Sequence, residues 1–155
     1  MRTLALILAL AALVLVVPRV DAAPPCGPGT LGQRFVILER GTAVCDNTSG
    51  LVWERRPDQS PRTYQDAVAW CAAKGLAWQL TGIKDFFTLV DYANANPPLP
   101  SGHPFVIVYN SEYWSDTPVA QGNPGDVWTF VLDRGRTFSG NIDARSIMCG
   151  ACDRA

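Results

Sequence analysis

The sequence predicts an α+β domain: an antiparallel sheet with two helices, stapled by disulfides. Three observations carry that expectation. Short β-rich runs bounded by turn residues lie towards both ends of the chain. Two segments of helical period lie between them, and five cysteines occur among 155 residues. Strands grouped on either side of the helices, rather than alternating with them, favour an antiparallel sheet.

Taken in order, Arg34 to Glu39 reads as a short strand and Gly41 begins a turn. Gly41 to Glu54 reads as a hairpin with its tip at Asp46-Asn47-Thr48-Ser49-Gly50. There Asn and Asp side chains bond the backbone and Gly supplies positive φ. Asn47-Thr48-Ser49 also spells a glycosylation sequon, but its place at the tip makes it turn chemistry. Thr63 to Lys74 is the first helix, with Thr63 as cap, Asp66 three residues on, and Gly75 as stop. Tyr64, Val68 and Cys71 share one face. The second helix is expected from Thr81, its cap, to about Asn94, with Ile83, Phe86, Phe87 and Val90 as the core stripe. Pro97 and Pro98 forbid continuation. From Asn94 to Asn123 the chain is rich in Pro and Gly, interrupted by an apolar strand at 105–109. Val127 to Leu132 and Arg136 to Phe138 make a hairpin turning at Asp133-Arg134-Gly135. Ser146 to Cys149 is the closing strand.

The N-terminus carries Arg2, an apolar run from Leu4 to Val17 and the small-residue stretch Val20-Asp21-Ala22-Ala23. That is the layout of a secretory signal peptide. The apolar core of about 14 residues is short of the roughly 20 that cross a bilayer. Cleavage is expected after Ala22, giving a signal peptide at 1–22, a Pro/Gly-rich lead-in at 23–33 and one domain at 34–152. The alternative is an uncleaved anchor. The expected location is secreted or periplasmic, with no membrane span after cleavage. Formal charge moves from −1 to about −2 on cleavage. Nothing in that balance suggests a nucleic acid or an anionic membrane as partner, since either wants clustered Lys and Arg. Arg55, Arg56 and Arg62, and further on Arg134, Arg136 and Arg145, read as solvated faces.

Five cysteines in an exported domain of this size imply a disulfide framework with one left over. Cys149-Gly150-Ala151-Cys152 has the spacing of a redox pair, but it follows a strand and no helix N-terminus is left to lower a thiol pKa. A zinc site needs four ligands, and there is one such cysteine pair and one histidine. His103, in Pro100-Ser101-Gly102-His103-Pro104, is the sole histidine available as a base, and no nucleophile-elbow sequence accompanies it. No carboxylate pair has a spacing that specifies glycoside hydrolysis. Trp53, Trp78, Trp114 and Trp128 read first as core residues whose indole N–H finds a carbonyl. Trp114, in the loop-rich half, is the expected exception. Asn110, Glu112, Asp116 and Asp143 could supply oxygen ligands to calcium.

An ordered set of motifs runs through residues 41–149: Gly41-Thr42-Ala43-Val44-Cys45-Asp46-Asn47-Thr48-Ser49-Gly50-Leu51-Val52-Trp53-Glu54; Asp66-Ala67-Val68-Ala69-Trp70-Cys71; Trp78-Gln79-Leu80-Thr81-Gly82-Ile83-Lys84-Asp85; Tyr113-Trp114-Ser115-Asp116-Thr117-Pro118; and Arg145-Ser146-Ile147-Met148-Cys149. Together they resemble the Lcl C-terminal domain family of bacterial envelope and secreted proteins, named after a collagen-like adhesin. The resemblance implies a C-type-lectin-like arrangement and a bridge between Cys71 and Cys149. Cys26, Cys45 and Cys152 then compete for one partner, and that choice stays open. The chain departs from the family after Trp78, where Gln79-Leu80-Thr81 replaces the usual Arg-Leu-Pro and removes a rigid fork of donors.

What the resemblance implies about function is a non-catalytic binding module that recognises an extracellular glycan or surface protein in adhesion or envelope contact. The slightly acidic balance does not favour a strongly sulfated glycan. The expected contacts are Asn110, Glu112, Trp114 and Asp116 in the loop region 95–126; no cofactor is expected, calcium being the one candidate. The alternatives are a structural envelope protein that contacts only partner proteins, and an envelope thiol-redox enzyme using Cys149 and Cys152.

Overall fold

The computed structural model describes residue 26 and residues 32–57, 60–75, 78–106, 112–142 and 152–153. The signal peptide expected at 1–22, Asn110, Asp143, Cys149 and the strand expected at 146–149 lie outside them. Among the described residues no helix is long and apolar enough to cross a membrane.

The first sheet is built from β1 (Phe35–Leu38), β2 (Ala43–Asp46) and β3 (Leu51–Glu54), all antiparallel, in that order. Period-2 alternation sends Val44 and Trp53 to one face and Cys45 and Val52 to the other, and all four are buried. The hairpin tip forms as the sequence predicts. Asp46 accepts from the Thr48 N–H at 2.9 Å, Gly50 takes φ +78°, and Asn47 is buried with its Nδ2 donating to the Gln33 carbonyl. Asn47 therefore holds the turn and is not presented for modification. Arg34 forks onto the buried Asp46 carboxylate at 3.2 and 3.0 Å and also donates to the Thr88 carbonyl, tying the strand entry to the second helix.

Helix α1 (Tyr64–Ala72) is capped by Thr63, whose hydroxyl accepts from the Asp66 N–H. Its inner face is Tyr64, Ala67 and Cys71, whereas Val68 is 43% exposed. The expected Tyr64-Val68-Cys71 stripe is thus rotated, because the small Ala67 lets the helix lie close over Trp114.

Helix α2 (Ile83–Leu89) is shorter than the sequence suggests. Its N-cap is Gly82, not Thr81. The Ile83 N–H is satisfied by Thr117 Oγ1 at 3.0 Å, from a strand 34 residues away. Thr81 is instead buried, with its carbonyl accepting from the Asp116 N–H at 3.1 Å. The helix ends when Val90 turns extended, and the Asp91 N–H then bonds the Pro98 carbonyl. Phe86 and Leu89 are the buried pair, while Phe87 is 42% exposed.

The second sheet contains β5 (Glu112–Pro118), β6 (Asp126–Val131) and β7 (Arg136–Asn141), again antiparallel and in order. The β6–β7 hairpin forms as expected. A two-stranded ladder joins β4 (Gln79–Leu80) to β8 (Cys152–Asp153). The main core lies where α2 presses Phe86 between the two three-stranded sheets. Phe86 stacks on Phe130 at 4.8 Å and tilts against Trp53 and Tyr113. A second core under α1 joins Trp114, Val127 and Leu80 to Ala67 and Cys71.

Of the three cysteines left to compete, Cys26 and Cys45 pair, 19 residues apart, on the face of the first sheet opposite Trp53. Cys71 is fully buried and disulfide-bonded. Its expected partner, Cys149, is not among the described residues.

Candidate binding groove

The four contacts expected from sequence do not form one surface. Asn110 is outside the described residues. Glu112, Trp114 and Asp116 lie on strand β5, not in a loop, because the segment finds a regular partner in β6. Trp114 is a core residue and not a ligand contact. It is 0% exposed, donates its Nε1–H to the Arg62 carbonyl at 3.1 Å, and packs edge-on to Tyr64 with centroids 5.7 Å apart. Helix α1 covers it, so nothing outside the fold reaches the indole.

Glu112 is half-buried at the start of β5, and Asp116 is exposed near its end, accepting from Thr117 Oγ1 at 3.1 Å. Burial, and then the negative charge of Asp116, holds the Tyr64 phenol above its ordinary pKa. Among the described residues no three of the His, Cys, Asp and Glu side chains converge to hold a metal ion.

Among the described residues, an open concavity lies elsewhere. A groove of about 520 Å³ runs between residues 33–37 and a second wall of Pro100, Ser101, Gly102 and Pro104. The sequence flagged both walls only as a strand and a turn. The second wall is shaped by local chemistry: the His103 N–H bonds the Pro100 carbonyl, and Gly102 takes φ +78°. One guanidinium ties the second wall to the turn that follows β1. Arg55 donates Nε–H to the Pro104 carbonyl at 3.0 Å and Nη1–H to the Gly41 carbonyl at 3.3 Å, so it braces the loop against the β1–β2 turn. Arg55 is therefore a structural tie and not part of a solvated basic face. Phe35 and Phe105 meet edge to face at 5.3 Å beneath the groove.

By contrast, the void inside the main core, lined by Trp53, Phe86 and Tyr113 among others, measures about 20 Å³. That is far below the ~300–1,000 Å³ of an organic ligand site.

His103 stands behind the groove wall with its ring 6.0 Å from Phe105 and its Nδ1 buried without a partner. Burial lowers its pKa below the ordinary 6.5. The folded chain thus holds fewer protons than the unfolded chain between those two values. Stability is lost as pH falls below the unfolded value, and the loss levels off once pH passes the folded one. The expected result is that His103→Asn loses less of its urea midpoint than the parent protein between about pH 7.5 and about pH 5.5. Equal losses would show that His103 does not contribute.

Two three-stranded antiparallel sheets, two short helices and the Cys26–Cys45 bridge define a small disulfide-stapled α+β domain. The chain belongs to the Lcl C-terminal domain family, whose model matches residues 42–149. It matches no curated protein and no solved structure. The family points to an adhesin-like extracellular module, and the disulfide agrees, because such bonds persist in oxidising compartments.

Proposed function

We propose that this protein is a non-catalytic binding module, secreted or periplasmic, that recognises an extracellular glycan or surface protein in adhesion or envelope contact through the groove between β1 and residues 100–104. The observation that carries the reading is the groove itself, a braced concavity with apolar and polar lining open to solvent. The absence of chemistry is part of the proposal, and the placement of the polar side chains supports it. Asp46 serves Arg34, Glu54 pairs with Lys74, Asp133 with Arg136, and Asp126 closes the turn at Asn123. Each is used to hold structure.

The test compares the parent protein with Ser101→Trp, which fills the groove from an exposed position, on a broad glycan array and on immobilised envelope or host-surface proteins. Runs with calcium and with a chelator report any cation requirement. A loss of about tenfold in affinity, equivalent to ~1.4 kcal/mol, with an unchanged urea midpoint supports the groove. Equal binding by both proteins places recognition elsewhere.

A further inference from the structure

Among the described residues, strand β1 is the edge of its sheet, hydrogen-bonded to β2 alone. The polarity of its ladder follows from one contact: the Asn47 N–H donates to the Arg34 carbonyl at 2.8 Å, so residues 34 and 47 face each other across hydrogen bonds. In an antiparallel pair such positions alternate. Val36 and Leu38, opposite Cys45 and Ala43, therefore also turn their backbone groups inward. The N–H and C=O groups of Phe35 and Ile37 point outward, along the bare edge.

Natural edge strands are blunted by charge, proline, a bulge or a covering segment. This one is not. It reads Phe-Val-Ile-Leu, its register with β2 is unbroken, and Ile37 is 49% exposed. Cys26, the nearest described residue on the N-terminal side beyond Gly32, is tethered to Cys45 on the face opposite Trp53. The groove lies along this edge. Its only charged lining residue is Arg34, whose charge is balanced by Asp46, so the slot is electrically neutral and largely apolar.

We propose that the groove takes an extended, uncharged segment of a partner protein as an additional strand beside β1. The backbone of Phe35 and Ile37 supplies the ladder, and Ile37, Pro100 and Pro104 receive alternate apolar side chains. Strand addition draws affinity from main-chain hydrogen bonds and selectivity from such pockets. A second copy of this domain fits less well, because it would bring its own 100–104 wall against the first. This inference rests on the groove being the binding site.

The experiment selects a displayed library of linear peptides against the protein with its disulfides intact, then measures the enriched peptides on three proteins: parent, Ile37→Pro and Ser101→Trp. Proline at 37 removes an outward N–H without touching the β1–β2 ladder. Ile37→Lys is a second variant that keeps the N–H but adds edge charge. Amide exchange at Phe35 and Ile37 is followed with and without peptide. The expected result is apolar, uncharged consensus peptides, about tenfold weaker binding to Ile37→Pro, and new protection of both amides. No enriched peptide, or bound peptide with both amides unprotected, overturns the inference. If Ser101→Trp abolishes binding while Ile37→Pro and Ile37→Lys do not, strand addition falls and the groove stands. If none of the variants weakens binding, both fall.

Discussion

Trp114→Ala is expected to lower the unfolding free energy by about 3–5 kcal/mol, the range for truncating a fully buried large side chain. That is a large part of the ~5–15 kcal/mol that holds a domain of this kind together. The loss has three sources. The indole leaves a cavity between Ala67, Cys71, Leu80 and Val127, the edge contact with Tyr64 disappears, and the Arg62 carbonyl loses its Nε1–H donor. Trp114→Phe restores part of the volume but not the hydrogen bond, and should fall between the two. Asp116→Ala, two residues along the same strand but exposed, should stay within about 0.5 kcal/mol of the parent. Urea unfolding followed by fluorescence and circular dichroism separates these cases. A Trp114→Ala loss below about 1 kcal/mol would mean that the second core is not built around this residue.

Removing the Cys26–Cys45 bridge as a double alanine variant is expected to cost about 3 kcal/mol. This follows from the chain entropy of a loop closed over 19 residues. Both cysteines must go, because Cys26→Ala alone would leave a free thiol at the 2%-exposed Cys45. Chemical reduction is a poorer test, since Cys71 is also disulfide-bonded. The double variant should unfold at lower urea with a near-native far-ultraviolet spectrum at zero urea. An urea midpoint unchanged from the parent would show that the lead-in is held without its covalent tether.

Much of the architecture is legible in the sequence alone. The Asp46–Gly50 tip, the Thr63 cap of α1, the β6–β7 hairpin and the antiparallel α+β character all follow from local chemistry: turn residues, a hydroxyl before a helix, and alternation. Local signals act over a few residues, and there the sequence speaks directly.

Helix α2 shows where that reach ends. Its stripe of Ile83, Phe86, Phe87 and Val90 has good helical spacing, but the helix stops at Leu89, and Phe87 is partly left to solvent. Its first N–H is capped by Thr117, a partner no window of sequence around Thr81 contains. The candidate site was less legible still. Ser115-Asp116-Thr117-Pro118 has the composition of a loop, yet β6 recruits it into a sheet and α1 seals Trp114 beneath. The groove is not legible in the sequence because its two walls are more than sixty residues apart, and Arg55 ties the second of them to the turn after β1 only in the folded chain. A signal was present in the apolar run Phe35-Val36-Ile37-Leu38, which carries no charge to protect an edge, but being an edge is a property of the sheet.

By itself, the sequence determined the family, the α+β class, the turns and the first helix cap, because each depends on contacts close along the chain or on a motif order that folding does not alter. Which tryptophan is core, which cysteine takes Cys26, what caps α2 and where an open groove lies were decided by the tertiary structure alone. Those outcomes depend on the burial of one element by another, and burial is set by partners distant in the chain.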